Sequence, residues 1–297
     1  MSIGELSLPI RVYWDLPESI TDAVDPVNVC EELIECGILS LDLRETSASI
    51  KLHTLDIVDR FTYAERSVSL TILPSALDDL SPSDLAPLSL TTLLVHADDA
   101  EGIHSILHKI SALPKAMKNL GISLQVTPEN ILALPQVLKL LDGRISKLVM
   151  PITREDERDS GRLLPSDEWE PLAQRLEQID YSLVSIDVHD PFLWEALYKG
   201  EGFHESACQA GNSLIHITPQ YDVYPCPILP ISLGNLATAS FRETILCEKK
   251  KSLRAELSSA PDECRECSMV KRCQGGCRGR AYVAYESFTR CDPACTF

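Results

Sequence analysis

Four cysteines lie between residues 264 and 277 in the order Cys264-x2-Cys267-x5-Cys273-x3-Cys277, with Cys208 and Cys226 before them and Cys295 after them. Thiolates at such short spacings converge on metal, and a segment organised this way needs little apolar core because the metal centre takes its place. Turn formers surround them, Gly275-Gly276 and Asp292-Pro293. The first two thirds of the chain hold only Cys30 and Cys36, which read as small packed hydrophobes. The total of 11 cysteines is odd. Met1–Pro9 lacks a basic stretch followed by a long apolar run, so no secretory signal is expected. Both facts argue against a disulfide framework and for a reducing, cytoplasmic setting.

Two metal chemistries suit this donor set. Cys264, Cys267, Cys273 and Cys277 would complete a structural zinc site of two short pairs, leaving Cys208, Cys226 and Cys295 unused. Two iron–sulfur clusters take seven or eight thiolates and account for all of them.

The rest of the chain reads as α/β. With 297 residues, 44% of them hydrophobic, it can bury one large core, or one core with a small satellite. Six apolar runs, 10–16, 38–43, 68–73, 91–96, 122–126 and 147–152, read as nearly continuous buried strands. Helical patterns follow several of them. Ile103, Ile106, Leu107 and Ile110 share one face behind Asp98-Asp99. Pro128 opens a helix through Leu141, with Gly143 as its stop, and Ser166 or Asp167 starts another that ends near Asp180. The mixed polarity of 46–66 sets no helix ends. Strand–helix alternation of this kind predicts right-handed βαβ units and a parallel sheet, and six units make an open, partial barrel. The composition shifts at Lys199-Gly200-Glu201-Gly202, dividing the chain into 1–198 and a cysteine-rich 199–297. In the second part, 215–218 and 223–226 read as a hairpin, and Leu253–Leu257 as a short helical turn.

Charge excludes some functions. A formal net charge of -17 repels phosphate backbones and anionic lipid, so neither nucleic acid nor a membrane surface is an expected partner. No apolar run is long enough to span a bilayer. The acidic surface serves solubility or a partner with a basic face.

The seven cysteines, with Pro225-Cys226-Pro227, Gly234-Asn235-Leu236, Gly275-Gly276-Cys277-Arg278 and Asp292-Pro293-Ala294-Cys295, resemble the SPASM motif. It is a C-terminal extension of radical S-adenosylmethionine enzymes, many of which modify ribosomally made peptides, and it usually binds two auxiliary 4Fe–4S clusters. The upstream units resemble that superfamily's partial (β/α)6 barrel, and 8–16 its first strand. The catalytic C-x3-C-x2-C loop should follow that strand, but Pro17–Pro26 contains no cysteine. Arg44-Glu45-Thr46-Ser47 stands where the superfamily has Gly-Gly-Glu-Pro. The combination is similar to the SPASM-domain protein of the GeoRSP system, a companion without the radical motif that accompanies an intact radical SAM/SPASM enzyme and a small peptide-chaperone-like protein.

The resemblance implies a degenerate radical SAM-like barrel followed by a SPASM domain, and ligands by position. Cys264, Cys267, Cys273 and Cys295 match a distal cluster, with Cys291 as a substitute for Cys295. Cys208, Cys226 and Cys277 match three ligands of a proximal cluster. The fourth often lies where Gly202 stands here, so the position is open or is filled by Cys247, His204, Glu201 or Glu205. S-adenosylmethionine is not an expected cofactor. The implied role is an accessory iron–sulfur protein of peptide maturation that holds a peptide substrate, passes electrons to a radical enzyme, or both. The rivals are an independent enzyme with a partly ligated cluster and a zinc-stapled scaffold.

Several residues outside the cysteines bear on these readings. Tyr221 replaces a family glycine, so the turn there is expected to be built without left-handed backbone. His96, His189, Asp15 and Asp42 fall at strands whose ends form barrel sites, as pocket residues or merely polar strand positions. His104 and His108 read as a solvated helix face, as does Lys249-Lys250-Lys251. Arg265, Lys271, Arg272, Arg278 and Arg280 lie where cations would stabilise anionic clusters.

Overall fold

The structure, a computed structural model, describes residues 5–20, 24–79, 89–111, 119–141, 145–152, 164–199 and 208–295. Seven parallel strands run in chain order, β1 (Arg11–Asp15), β2 (Ser40–Arg44), β3 (Ser67–Ile72), β4 (Thr92–Ala97), β5 (Leu120–Leu124), β6 (Lys147–Met150) and β7 (Ser185–Val188). The helices between and after them are α1 (Pro26–Glu35), α2 (Leu52–Tyr63), α3 (Ala76–Asp79), α4 (Gly102–Ser111), α5 (Pro128–Leu141), α6 (Trp169–Leu176) and α7 (Pro191–Leu197). The six units legible in the sequence are present, and β7 with α7 follows them. Gly143, read as the stop of α5, lies outside the described residues. The segment Ser166–Glu168 forms a single 3-10 turn before α6, which stops at Leu176, short of Asp180.

Local sequence accounts for these elements. Asp25 accepts the Val27 N–H at 2.9 Å with Pro26 at the first helical position, and Gly37, at φ +79°, lets the chain turn back after α1. Asp190 caps α7 in the same way, accepting from Phe192 and Leu193 at 2.9 Å each. Strands β1, β2 and β3 alternate rather than burying both faces. Val12, Trp14, Leu41, Leu43, Val68 and Leu70 are buried in the core, while Arg11, Tyr13, Asp15, Asp42 and Arg44 occupy the opposite face.

That second face lines a lumen. Strands β1 and β7 are six steps apart, about 29 Å in a flat sheet at 4.8 Å per step. Yet the Tyr13 hydroxyl lies 3.0 Å from His189 Nε2, just past β7, and Arg11 reaches Asp187 of β7 at 3.8 Å. The sheet is therefore curled into a partial barrel.

The remaining strands extend the same sheet. β8 (Leu214–Ile217) pairs parallel to β1, and β9 (Asp222–Tyr224) and β10 (Gly234–Asn235) follow antiparallel. The sheet thus crosses the 198/199 division, and one apolar cluster runs from Val12 to Phe288. α8 (Phe241–Ile245) starts with a reciprocal Ser240–Glu243 capping box. α9 (Glu248–Leu257) is longer than the expected turn at 253–257 and includes the lysine run, which is not wholly solvated. Lys250 is 4% exposed, and its Nζ donates to the Ser7 carbonyl at 2.8 Å. α10 (Val270–Cys273) and α11 (Arg278–Tyr285) complete the chain. Among the described residues no helix is long and apolar enough to cross a membrane.

Candidate functional site: two cysteine groups at the barrel mouth

A cavity of about 190 Å³ opens at the C-terminal ends of the parallel strands. Its floor is polar. Asp15 is held by Arg44 at 2.8 Å and His216 at 3.0 Å, and Arg11 pairs with Asp42 at 2.6 Å. His96 and His189 also line the cavity. Burial pushes the Asp15 carboxyl up, but the His216 hydrogen bond and the Arg44 charge outweigh it and leave its pKa below the ordinary value. Burial pulls the His96 imidazole down, against the opposing pull of Asp98. The loop after β2 is tied up by its own carboxylate. Glu45, 1% exposed, accepts from Ser47 N and Oγ, Lys51 N and Thr54 Oγ1.

Cys208, Cys226 and Cys277 form the opposite wall of this cavity. Cys226 follows β9, and its Sγ accepts the Leu229 N–H at 3.4 Å. Cys277 is the N-cap of α11; its Sγ accepts from Arg280 N at 3.5 Å, and its own N–H donates to Asp292 at 2.6 Å. Gly279 lets α11 lie on the Cys226 loop, since a Cβ there would come within 2.7 Å of Ile228. Cys208 is placed through its carbonyl, which accepts from Arg254 at 2.6 Å. Burial first, then the Cys208 and Cys277 charges, push the Cys226 thiol far above its ordinary value. Burial likewise pushes Cys277 up to about 12.

The second group gathers around the segment before α11, and one member, Cys273, also borders the cavity. Cys264 ends a 3-10 turn, Cys273 ends α10 and Cys267 lies between them, its N–H donating to the Cys264 carbonyl at 3.1 Å. The backbone then takes three left-handed residues, Gln274, Gly275 and Gly276. A Cβ on Gly276 would collide with Asp292, so this glycine is what lets the strap close on the C-terminal segment. Burial pushes Cys264 up to about 11, reinforced in order by Cys291, Cys273, Cys295 and Cys267. Cys291 belongs to this group as a fifth thiol, also raised to about 11 by burial and by its hydrogen bond to Glu263.

The structure therefore brings together 208, 226 and 277 in one place and 264, 267, 273, 291 and 295 in another. Cys247 joins neither. It caps α9, its Sγ accepting from Lys250 N at 3.4 Å and lying 3.9 Å from the Leu233 carbonyl. Glu201, Gly202, His204 and Glu205 lie outside the described residues. Among the described residues, no three His, Cys, Asp or Glu side chains converge as a single metal ion requires.

Of the five nearby cations, two are buried. Arg280, 1% exposed, bridges Asp292 at 2.6 Å and Asp190 at 2.7 Å, tying the C-terminal strap to the end of the barrel sheet. Arg278 is 2% exposed. Arg272 pairs with Glu195, Arg265 pairs with Asp262 at 2.6 Å, and Lys271 is exposed. Tyr221 overturns the expectation of a turn built without left-handed backbone. It takes φ +63° itself, while its ring is 3% exposed and its N–H donates to the Thr218 carbonyl at 2.9 Å. Burial of the ring offsets a strain of about 1–2 kcal/mol. Cys30 is fully buried, and His104 and His108 are exposed, as expected.

The site is thus a thiol-rich strap closed over a curled parallel sheet that forms a partial barrel. Residues 208–268 match the SPASM iron–sulfur cluster-binding domain. The match covers Cys208, Cys226, Cys264 and Cys267; the later cysteines lie beyond it. A 116-residue stretch is 28% identical to the AdoMet-dependent heme synthase of Methanosarcina barkeri, covering 38% of this chain and 30% of that protein. In fold, the chain is similar to Streptococcus suis SuiB, with a TM-score of 0.67 at 12% identity over 99% of this chain and 78% of SuiB. A SuiB structure bound to its precursor peptide SuiA gives the same score. Native anSMEcpe with bound AdoMet and the Cp18Cys peptide follows with a TM-score of 0.63 at 14% identity over 97% and 94% of the two chains.

Proposed function

We propose that this chain is a cytoplasmic accessory protein of a radical enzyme that matures a peptide, and that it holds two 4Fe–4S clusters. Cys208, Cys226 and Cys277 are the proximal ligands, and Cys264, Cys267, Cys273 and Cys295 the distal ones. The observation that carries this reading is the partition of the cysteines into two groups, with all three thiols of the proximal one and Cys273 of the other bordering the barrel cavity. Soft thiolates suit iron–sulfur clusters, and a zinc site would take four of the seven cysteines and leave three unused. When bound, such clusters supply one-electron transfer.

The chain's own residues set the rest of the role. The loop after β1 offers no thiol to bind a cluster that cleaves S-adenosylmethionine, and the Glu45 loop is occupied by its own hydrogen bonds. The cavity, walled by Leu43, Leu94, Val149 and Ile228 around a few paired charges, suits a peptide side chain. Peptide-bound neighbours of the same fold support that use. Strands of 1–198 and the cysteine-bearing segments of 199–297 both line this cavity, so substrate and clusters would meet across the 198/199 division. The partner is an intact radical SAM/SPASM enzyme, met through a basic face that complements the acidic chain.

Anaerobic reconstitution, with iron, sulfide and zinc counted per chain, tests the cofactor reading. About eight irons with matching sulfide are expected, and stoichiometric zinc without sulfide would sink it. Mixing with the radical enzyme tests the accessory reading. Equal peptide modification with and without this chain, and no co-elution at low salt, would favour the independent enzyme, whose proximal centre meets substrate directly.

A further inference from the structure

Arg278 is a buried cation without a carboxylate. Its terminal nitrogens donate to the carbonyls of Ser259 at 2.6 Å and Phe288 at 2.5 Å, and its guanidinium lies 5.8 Å from the Phe288 ring centre. Its Nε is buried with no hydrogen-bond partner. Among the described residues no carboxylate forms an ion pair with it, whereas Arg280, two positions on, has two. A guanidinium taken out of water without a counter-charge costs several kcal/mol, so a fold retains one where negative charge is to arrive.

The negative charge is available on both sides. Arg278 borders the cavity beside Cys208, Cys226 and Cys277, and Cys273 of the second group lines the same cavity. Burial lowers its pKa, and the charges that oppose this are first Cys208, then Cys264, one from each cysteine group, with Glu256 and Asp262 after them. We infer that Arg278 is the shared counter-ion of the two thiolate centres, raising the reduction potential of both and coupling them through one fixed charge. The inference rests on the two-cluster reading. A four-thiolate 4Fe–4S centre carries a net charge of about -2 and gains one more negative charge when an external reductant such as dithionite delivers an electron. No bond is made or broken, so a fixed cation favours the reduced form. In the metal-free protein the same cation is uncompensated, and the two effects of removing it have opposite signs.

Arg278→Met and Arg278→Lys in the full chain test this. In the iron-loaded protein, EPR-monitored titration with dithionite should show both midpoints of Arg278→Met falling by about a tenfold change in the reduction equilibrium, 59 mV for a one-electron couple. Arg278→Lys should recover most of that shift. In the metal-free protein, Arg278→Met should melt above wild type. Midpoints unchanged in an iron-loaded Met variant, or a shift of one centre only, would overturn the shared role. If Arg278→Met fails to take up iron, its metal-free melting decides: a value below wild type shows a merely structural arginine and overturns the inference. Zinc without sulfide in the wild-type chain is a separate outcome that removes the cluster reading itself and the inference with it.

Discussion

Replacing Arg280 by Met would remove the charge at the centre of the bolt between barrel and strap while nearly preserving its volume. Arg280 donates to Asp292 Oδ1 at 2.7 Å and Oδ2 at 2.6 Å and to Asp190 Oδ2 at 2.7 Å, and both carboxylates are fully buried. Breaking a buried ion pair costs about 3–5 kcal/mol, because the partner charge stays behind without compensation. Here two carboxylates are left. Each keeps amide donors, Phe192 and Leu193 for Asp190, and Cys277 and Ala294 for Asp292. Those bonds blunt the loss, so the expectation is about 4 kcal/mol, a large part of the ~5–15 kcal/mol that holds a typical protein folded. Urea unfolding of the metal-free protein under reductant would read it as a fall in midpoint at constant slope. Adding Asp190→Asn to Arg280→Met should cost less than Asp190→Asn costs in the wild type, since its charge partner is already gone. A loss under about 1 kcal/mol, the scale of an exposed pair, would refute the claim that this triad joins the two parts.

Cys264→Ala or Cys267→Ala should remove about half of the iron and loosen the strap, where little apolar core remains. Cys247→Ala should change neither, and a halving of iron on Cys247→Ala would make it the missing proximal ligand. Tyr221→Gly should destabilise by about 2 kcal/mol, as ring burial outweighs the relieved strain, and Tyr221→Ala by about 1 kcal/mol more, because alanine keeps the left-handed strain; equal melting points for the two variants would contradict this. The folded-state pKa of Asp15 is depressed, so its contribution is complete above about pH 4 and is lost as pH falls through the folded value. Asp15→Asn should flatten the acid limb of a stability-versus-pH curve, and parallel curves for variant and wild type would exclude it.

The alternating burial of side chains decided what could be read in advance. The six strands were legible because their core faces carry residues such as Val12, Leu41 and Leu70. β7 was not, because Ser185-Ile186-Asp187-Val188 has only two apolar positions, and its polar ones face the lumen. The ends of α2 were hidden by an inverted pattern: Leu52 and Tyr63 are 81% and 91% exposed at its two ends, whereas His53 and Thr54 are buried. The cysteine spacing pointed to metal chemistry; in space Cys208, Cys226 and Cys277 gather in one place, and Cys291 stands with Cys264, Cys267, Cys273 and Cys295 as a fifth thiol that spacing alone left as a substitute. What spacing could not carry was the cation pattern. Arg278 and Arg280 look alike along the chain, yet among the described residues Arg280 meets two carboxylates and Arg278 none. Lys250 likewise read as part of a solvated run, but it anchors the Ser7 carbonyl, and Arg254, one turn on, anchors that of Cys208.

The pairing of β1 with β8 sets a clock on the ribosome. Arg11 is in register with Leu214, about 200 residues later in the chain. At a synthesis rate of about 5–20 residues per second, β1 waits about 10–40 s for that neighbour after it has left the tunnel. During that interval β2 can cover one side of β1 while the other keeps a row of unpaired N–H and C=O groups, the kind of edge that recruits a strand from another chain. Arg11 and Asp15, charged residues on this strand, are the ones that make such recruitment unfavourable. The nascent chain is therefore most vulnerable to aggregation until Leu214–Ile217 has emerged, and a holding chaperone would act on it in that window.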